Sequence, residues 1–162
     1  MPTSINGMAN IDNSCSALDV QDKYKDSTTH LSDILEHQKM MQETVFGYNF
    51  AEMSIRDVMN FWHMNSHALT DEIHEATDAL GGIKDGDGSA VWKKWKKAHE
   101  KYSSMKISDL TPSDKKELDM EIVDILHFFM NMAASVGLDA KTMYNYYFAK
   151  AEENKQRQQR GY

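Results

Sequence analysis

DKKELDMEIVDILHFFMNMAASVG, residues 114–137, is the stretch on which the reading of the chain turns. Leu118, Ile122, Ile125 and Phe129 recur at steps of four, three and four, the period of one face of an α-helix. Its start is marked as well. Thr111 can cap the helix, Pro112 suits the first turn, and Asp114 completes a capping-box pattern. Gly137 is the stop signal. Glu121 and Asp124 lie beside the apolar stripe, three residues apart and so on one face. A carboxylate pair against an apolar seam costs free energy unless something satisfies it, and a cation is the simplest partner.

Outward from this helix, a second carboxylate pair stands at Glu72 and Glu75. It belongs to a helical region predicted from about Ala51 to Leu80 and stopped by Gly81-Gly82. The apolar stripe there is Ile55, Val58, Met59, Trp62, Leu69, Ile73, Ala76 and Leu80, and a break near His63 to His67 is left open. An earlier helix is predicted from Leu31 to Phe46, with Leu31, Ile34, Leu35, Met41 and Val45 on its buried face. Gln38 and Gln42 fall on that same face, one turn apart. Amides on an inner stripe must find partners, either backbone groups or a hydrogen-bonding edge such as a nucleobase.

The segment AVWKKWKKAHEKY, Ala90 to Tyr102, reads as a short helix with Trp92 and Trp95 three residues apart. Lys93, Lys94, Lys96, Lys97 and Lys101 make it the most basic patch of the chain. Most such lysines form a solvated face, and one or two, Lys94 among them, are candidates to reach phosphates. The final helix is predicted from Asp139 to about Gln159, with Met143, Tyr147 and Ala151 inward. Lys150, Asn154 and Arg157 follow one another by four and three and form one polar stripe. Helix lengths, short links and the lack of strand patterns predict an all-α helical bundle. Residues 83–89, IKDGDGS, form a loop that only resembles a calcium loop, because the required glycine is missing and Lys96 stands where the closing glutamate belongs.

With 162 residues, one domain is the default. We expect it over 29–162, preceded by a polar arm, 1–28, rich in Ser, Asn and Asp. The net charge of −7 disfavours broad binding to nucleic acid or an anionic membrane and suits a carboxylate-built metal site. A single cysteine, Cys15, rules out an intramolecular disulfide and fits a reducing compartment. No apolar run nears the roughly 20 residues that span a bilayer, and a cytoplasmic protein is expected.

Taken together, Glu72, Glu75, Glu121 and Asp124 suggest a magnesium cluster. Four carboxylates in close quarters raise each other's pKa unless a cation is present. Magnesium favours such hard oxygen ligands and shares them with substrate phosphates. The stripe Lys150, Asn154 and Arg157 is the complement a polyphosphate needs. The implied chemistry is attack of a metal-activated water on a nucleotide polyphosphate. No Walker loop, G-x-S-x-G motif or polarised cysteine offers a covalent nucleophile.

DEIHEA (71–76), SAVWKKWKK (89–97), ELDMEIVDILHFFMN (117–131) and the ending KAEENKQRQQRGY (150–162) give the chain a wider likeness. Over about Leu31 to Tyr162 it resembles the all-α nucleoside triphosphate pyrophosphohydrolases, the MazG-like enzymes and dimeric dUTPases among them. Within that group it is most similar to the dCTP- and dUTP-hydrolysing branch of T-even-type bacteriophages. The resemblance implies a helical bundle of that type, acting as a homodimer in the host cytoplasm. It implies hydrolysis of dCTP and dUTP to the monophosphate and pyrophosphate with magnesium. The family's E-x-x-E and E-x-x-D match Glu72, Glu75, Glu121 and Asp124 as metal ligands, with a carboxylate as the base, for which we choose Glu72. Its late K-x-x-x-N-x-x-R matches Lys150, Asn154 and Arg157 at phosphate and sugar. Its early Q-x-x-L-N reads Gln38-Lys39-Met40-Met41-Gln42 here, a departure at the last position that is compatible with cytosine. His127 and Asn131 are then expected near the base or sugar.

Two other readings remain open in the sequence. Asp71-x-x-His74 and Asp124-x-x-His127 approach the carboxylate–histidine motif of di-iron bundles. Trp92, Trp95 and the neighbouring lysines would also serve a non-enzymatic helical interaction module.

Overall fold

The computed structural model describes residues 29–82 and 88–161. The polar arm 1–28 and the centre of the 83–89 loop lie outside the described residues. Every regular element among the described residues is helical, so the all-α expectation holds. The α-helices are α1 (His30–Thr44), α2 (Ile55–Leu80), α3 (Pro112–Ser135) and α4 (Ala140–Gln159). Short 3-10 turns lie between α1 and α2 and between α2 and α3. The chain divides into two compact units, one holding α1 and α4, the other residues 50–136 with α2 and α3.

Local chemistry sets the helix ends. Ser54 and Asp57 form a reciprocal capping box at the start of α2: the Ser54 N–H donates to Asp57 Oδ2 at 3.0 Å, and the Asp57 N–H donates to Ser54 Oγ at 3.2 Å. Thr111 caps α3 by accepting from the Asp114 N–H at 3.1 Å. Asp139 caps α4 through the Thr142 N–H at 2.9 Å. Gly137, at φ +68, makes the left-handed turn after α3. The 26 residues of α2 run unbroken through His63 and His67, so the break left open there does not occur.

In the α2–α3 unit the two helices pack along each other. The buried apolar residues of the two helices are Phe61, Ala76 and Ala79 of α2 and Met130, Ala133 and Ala134 of α3. Small residues let two helix backbones approach closely. Two polar ties cross the seam. Asn131 Nδ2 donates to Asn65 Oδ1 at 2.8 Å, and Trp62 Nε1 donates to Ser135 Oγ at 2.8 Å. Asn65 is almost fully buried and its own amide donates to the Phe61 carbonyl at 2.8 Å, so neither amide is left unsatisfied.

The expected core stripes need correcting. Ile122 and Phe129 on α3 are 53% and 44% exposed, and Ile55, Met59, Trp62, Ile73 and Leu80 on α2 are exposed as well. Ile34 and Val45 on α1 and Tyr147 on α4 are also outside. The apolar arc of α3 is wider than one neighbouring helix can cover. The alanine side of that arc takes the seam, and the larger aliphatic residues flank it.

The helix predicted for Ala90 to Tyr102 is also corrected. Two 3-10 turns, Gly88–Val91 and Lys97–Ser103, stand there with a turn between them. Side-chain ties hold the segment in this shape. Trp92 Nε1 donates to Asp78 Oδ1 at 2.8 Å, Tyr102 Oη to the Gly81 carbonyl at 2.9 Å, and His99 Nδ1 lies 2.9 Å from the Ala90 carbonyl oxygen. The segment folds back on the end of α2 so closely that a Cβ on Gly81 would meet the Gly88 carbonyl oxygen at 2.1 Å.

Candidate metal centre

Glu72 and Glu75 sit one turn apart on α2, and Glu121 faces them from α3. One carboxylate oxygen of each lies within 4.8 Å of the others. Glu72 and Glu121 are half-buried and Glu75 is exposed.

The electrostatics follow from the crowding. Burial, then the charges of Glu75, Glu72, Asp124 and Glu117, push the Glu121 carboxyl up to about 7. Burial also raises Glu72, as do Asp124 and Glu75, while its hydrogen bond with Glu121 pulls the other way. Near neutral pH the metal-free cluster therefore shares a proton. A divalent cation would take that proton's place. The donor set is all carboxylate oxygen, open to solvent at Glu75, and so fits a hard cation that keeps water ligands.

The structure brings together three of the four expected ligands. Asp124 flanks the triangle: its charge acts on both Glu72 and Glu121, while its Oδ1 lies 3.1 Å from Nδ1 of His127. His127 is thus held one turn along α3 by a carboxylate. No imidazole belongs to the three-carboxylate group, which removes the main support of the di-iron reading.

The other expected residues are placed as follows. Asn131 is buried in the α2–α3 seam, bound to Asn65. Gln38 and Gln42 are buried on α1, and no buried side-chain polar atom among the described residues lacks a partner. Lys150, Asn154 and Arg157 share an exposed face of α4, in the other unit from the carboxylates. Arg157 Nε donates to Glu153 Oε1 at 3.0 Å, and Arg160 reaches the same oxygen at 2.9 Å. Lys94 is exposed in the turn between the 3-10 segments. Its neighbour Lys93 lies over the Trp92 ring, 4.6 Å from the centroid, and Lys96 Nζ donates to Ser89 Oγ at 3.3 Å.

Sequence reasoning missed two arrangements. Asn65 gave no periodic signal as the partner of Asn131. His63 and His67 form a close pair, signalled only by their four-residue spacing.

Known proteins provide two strong likenesses and one partial one. Over 96 residues, 58% of the chain, the protein is 43% identical to the dCTP pyrophosphatase of Enterobacteria phage LZ5, and the match covers 56% of that relative. Over 108 residues it is 34% identical to the dCTP pyrophosphatase of Enterobacteria phage T4, covering 65% of this chain and 63% of that one. A stretch of 96 residues is 33% identical to a T4 DNA replication protein, of which it covers 24%. The chain thus spans about three fifths of the length of the two pyrophosphatases it matches. No protein-family model matches the chain, and no solved structure does.

Proposed function

We propose that the protein hydrolyses pyrimidine deoxynucleoside triphosphates, dCTP and dUTP, to the monophosphate and pyrophosphate, with magnesium held by Glu72, Glu75, Glu121 and Asp124. One observation carries this reading. Three carboxylates from two helices converge within 4.8 Å in a chain that is 34–43% identical, over its matched part, to phage dCTP pyrophosphatases.

Magnesium, when bound, supplies neutralisation of the polyphosphate and acidification of a water. The remaining work falls to side chains. Glu72, whose proton affinity is raised by burial and by Asp124 and Glu75, accepts the proton of the attacking water. The water oxygen bonds to the α-phosphorus, the bridge to the β-phosphate breaks, and pyrophosphate leaves. Lys150, Asn154 and Arg157 bind phosphate and sugar, with Arg157 exchanging Glu153 for a phosphate oxygen. Lys94 supplies a further cation. Gln38, Gln42 and His127 address the base, and Asn131 acts from behind by fixing α3 against α2 through Asn65.

The protein is further proposed to act as a homodimer in the host cytoplasm. Ile73, Leu80, Ile107 and Ile122 are exposed along one groove of the α2–α3 unit, together with Leu118 and Ile125. A contiguous aliphatic surface of this kind is what a second copy would cover.

The test is pyrophosphate release from each deoxynucleoside triphosphate, with magnesium and with chelator. Magnesium-dependent release from dCTP and dUTP, with purines spared, is expected. A folded sample that releases pyrophosphate from none of them would overturn the proposal.

A further inference from the structure

On α2, five residues before Glu72, two histidines meet. His63 Nε2 and His67 Nε2 are 3.0 Å apart, and the rings stand edge to face with centroids 4.6 Å apart and planes inclined at 62°. Both side chains are exposed. Among the described residues neither ring has another hydrogen-bonding partner.

We infer that His63 and His67 form a two-imidazole site for a borderline first-row dication of the copper, nickel and zinc class, separate from the carboxylate cluster. The argument begins with spacing. Residues four apart on a helix lie one above the other, so an unbroken α2 holds both rings on one side without reordering the backbone. The nitrogen–nitrogen distance then decides. Two bonds of about 2.0 Å to nitrogens at this separation subtend about 95° at the metal, the angle between adjacent positions of a square-planar or octahedral ion.

Ligand chemistry separates this site from the other one. Neutral imidazole suits copper, nickel and zinc, whereas carboxylate and water suit magnesium. In the metal-free pair one ring must donate an N–H to the other. Metal binding converts that donor ring to the tautomer protonated at Nδ1, so both Nε2 lone pairs face the ion. The remaining positions open to solvent and to a groove lined by Met59, Asn60, Trp62, Ser66 and Met132 beside His63, leaving room for water ligands. Loading would staple one turn in the middle of α2.

The experiment titrates Cu2+ into the full chain with excess Mg2+ present, following heat and the electron paramagnetic resonance of the bound ion. The wild type is expected to bind one Cu2+ with hyperfine coupling to two imidazole nitrogens. His63→Ala and His67→Ala should each weaken binding by roughly 100-fold, because the second imidazole acts at the high effective concentration of a tethered ligand. Both positions are exposed and alanine favours helix, so circular dichroism should stay unchanged. His74→Ala, on the same helix outside the pair, should bind as wild type does. Unchanged copper binding in either His63→Ala or His67→Ala, a single-nitrogen spectrum, or an equal loss in His74→Ala would overturn the inference.

Discussion

Replacing Glu121 by glutamine removes one charge from the crowded triangle while keeping the size of the side chain. In the unfolded chain a glutamate loses its proton near about 4.3. In the folded protein, burial and the carboxylates of Glu75, Glu72, Asp124 and Glu117 hold the Glu121 proton until about 7. Between those values the folded state binds the additional proton, so the metal-free protein loses stability as pH rises through the window. The full difference would amount to about 4 kcal/mol. Glu121 is only half-buried, and solvent screening reduces the effect to roughly 1 kcal/mol. Glu121→Gln carries no such penalty. In chelator at pH 8 the variant should melt about 2–4 °C above the wild type, and the two should converge towards pH 5. Magnesium should reverse the order at pH 8, because the wild type keeps the charge that the cation needs, and the variant should lose turnover. Thermal scans by far-UV circular dichroism at both pH values, with and without magnesium, read all of this. A variant less stable than the wild type at pH 8 in chelator, or one equally stabilised at both pH values, would refute the reasoning.

Three further outcomes are expected. Asn131→Leu strips Asn65 Oδ1 of its donor inside the seam, and urea unfolding should register a loss of roughly 1–3 kcal/mol; an altered KM at unchanged stability would instead put Asn131 at the substrate. Gly81→Ala would set a Cβ 2.1 Å from the Gly88 carbonyl oxygen, so backbone must shift and the same measurement should show a loss of about 1–3 kcal/mol. Ile122→Asp puts a charge on the exposed aliphatic groove, and light scattering after gel filtration should show a dimeric wild type and a monomeric variant; a monomeric wild type would end the dimer proposal.

The helices were legible in the sequence where capping chemistry was local. Thr111 with Pro112, Asp139 and Gly137 each act within a few residues, and each bounds a helix in the structure. The Trp92–Lys97 stretch was misread for the opposite reason. Its shape depends on Asp78, Gly81 and Ala90, which hold it by side-chain ties and a close backbone approach that no short window contains. Periodicity found the apolar arcs of α2 and α3 but not which part of each arc is covered, because that depends on where the partner helix lies.

The same limit explains how the carboxylate site was found before its setting was. The sequence put Glu72 and Glu75 one turn apart and Glu121 beside an apolar stripe, but it named large aliphatic residues as the contact. The buried positions are Ala76, which the stripe included, and Ala79, Ala133 and Ala134, which it did not. Bulky residues along that seam would hold the helices farther apart, and the glutamates of α2 would then lie farther from Glu121. Small residues let the two backbones come close, and the burial of Glu121, together with the repulsion among Glu75, Glu72 and Glu121, raises the Glu121 proton affinity. The large aliphatic residues displaced from the seam, Ile73 and Ile122 among them, remain on its flank. The crowded acidic triangle and the exposed aliphatic groove are therefore two consequences of one packing choice, and a substitution such as Ala79→Leu that widened the seam would relax the first and reshape the second together.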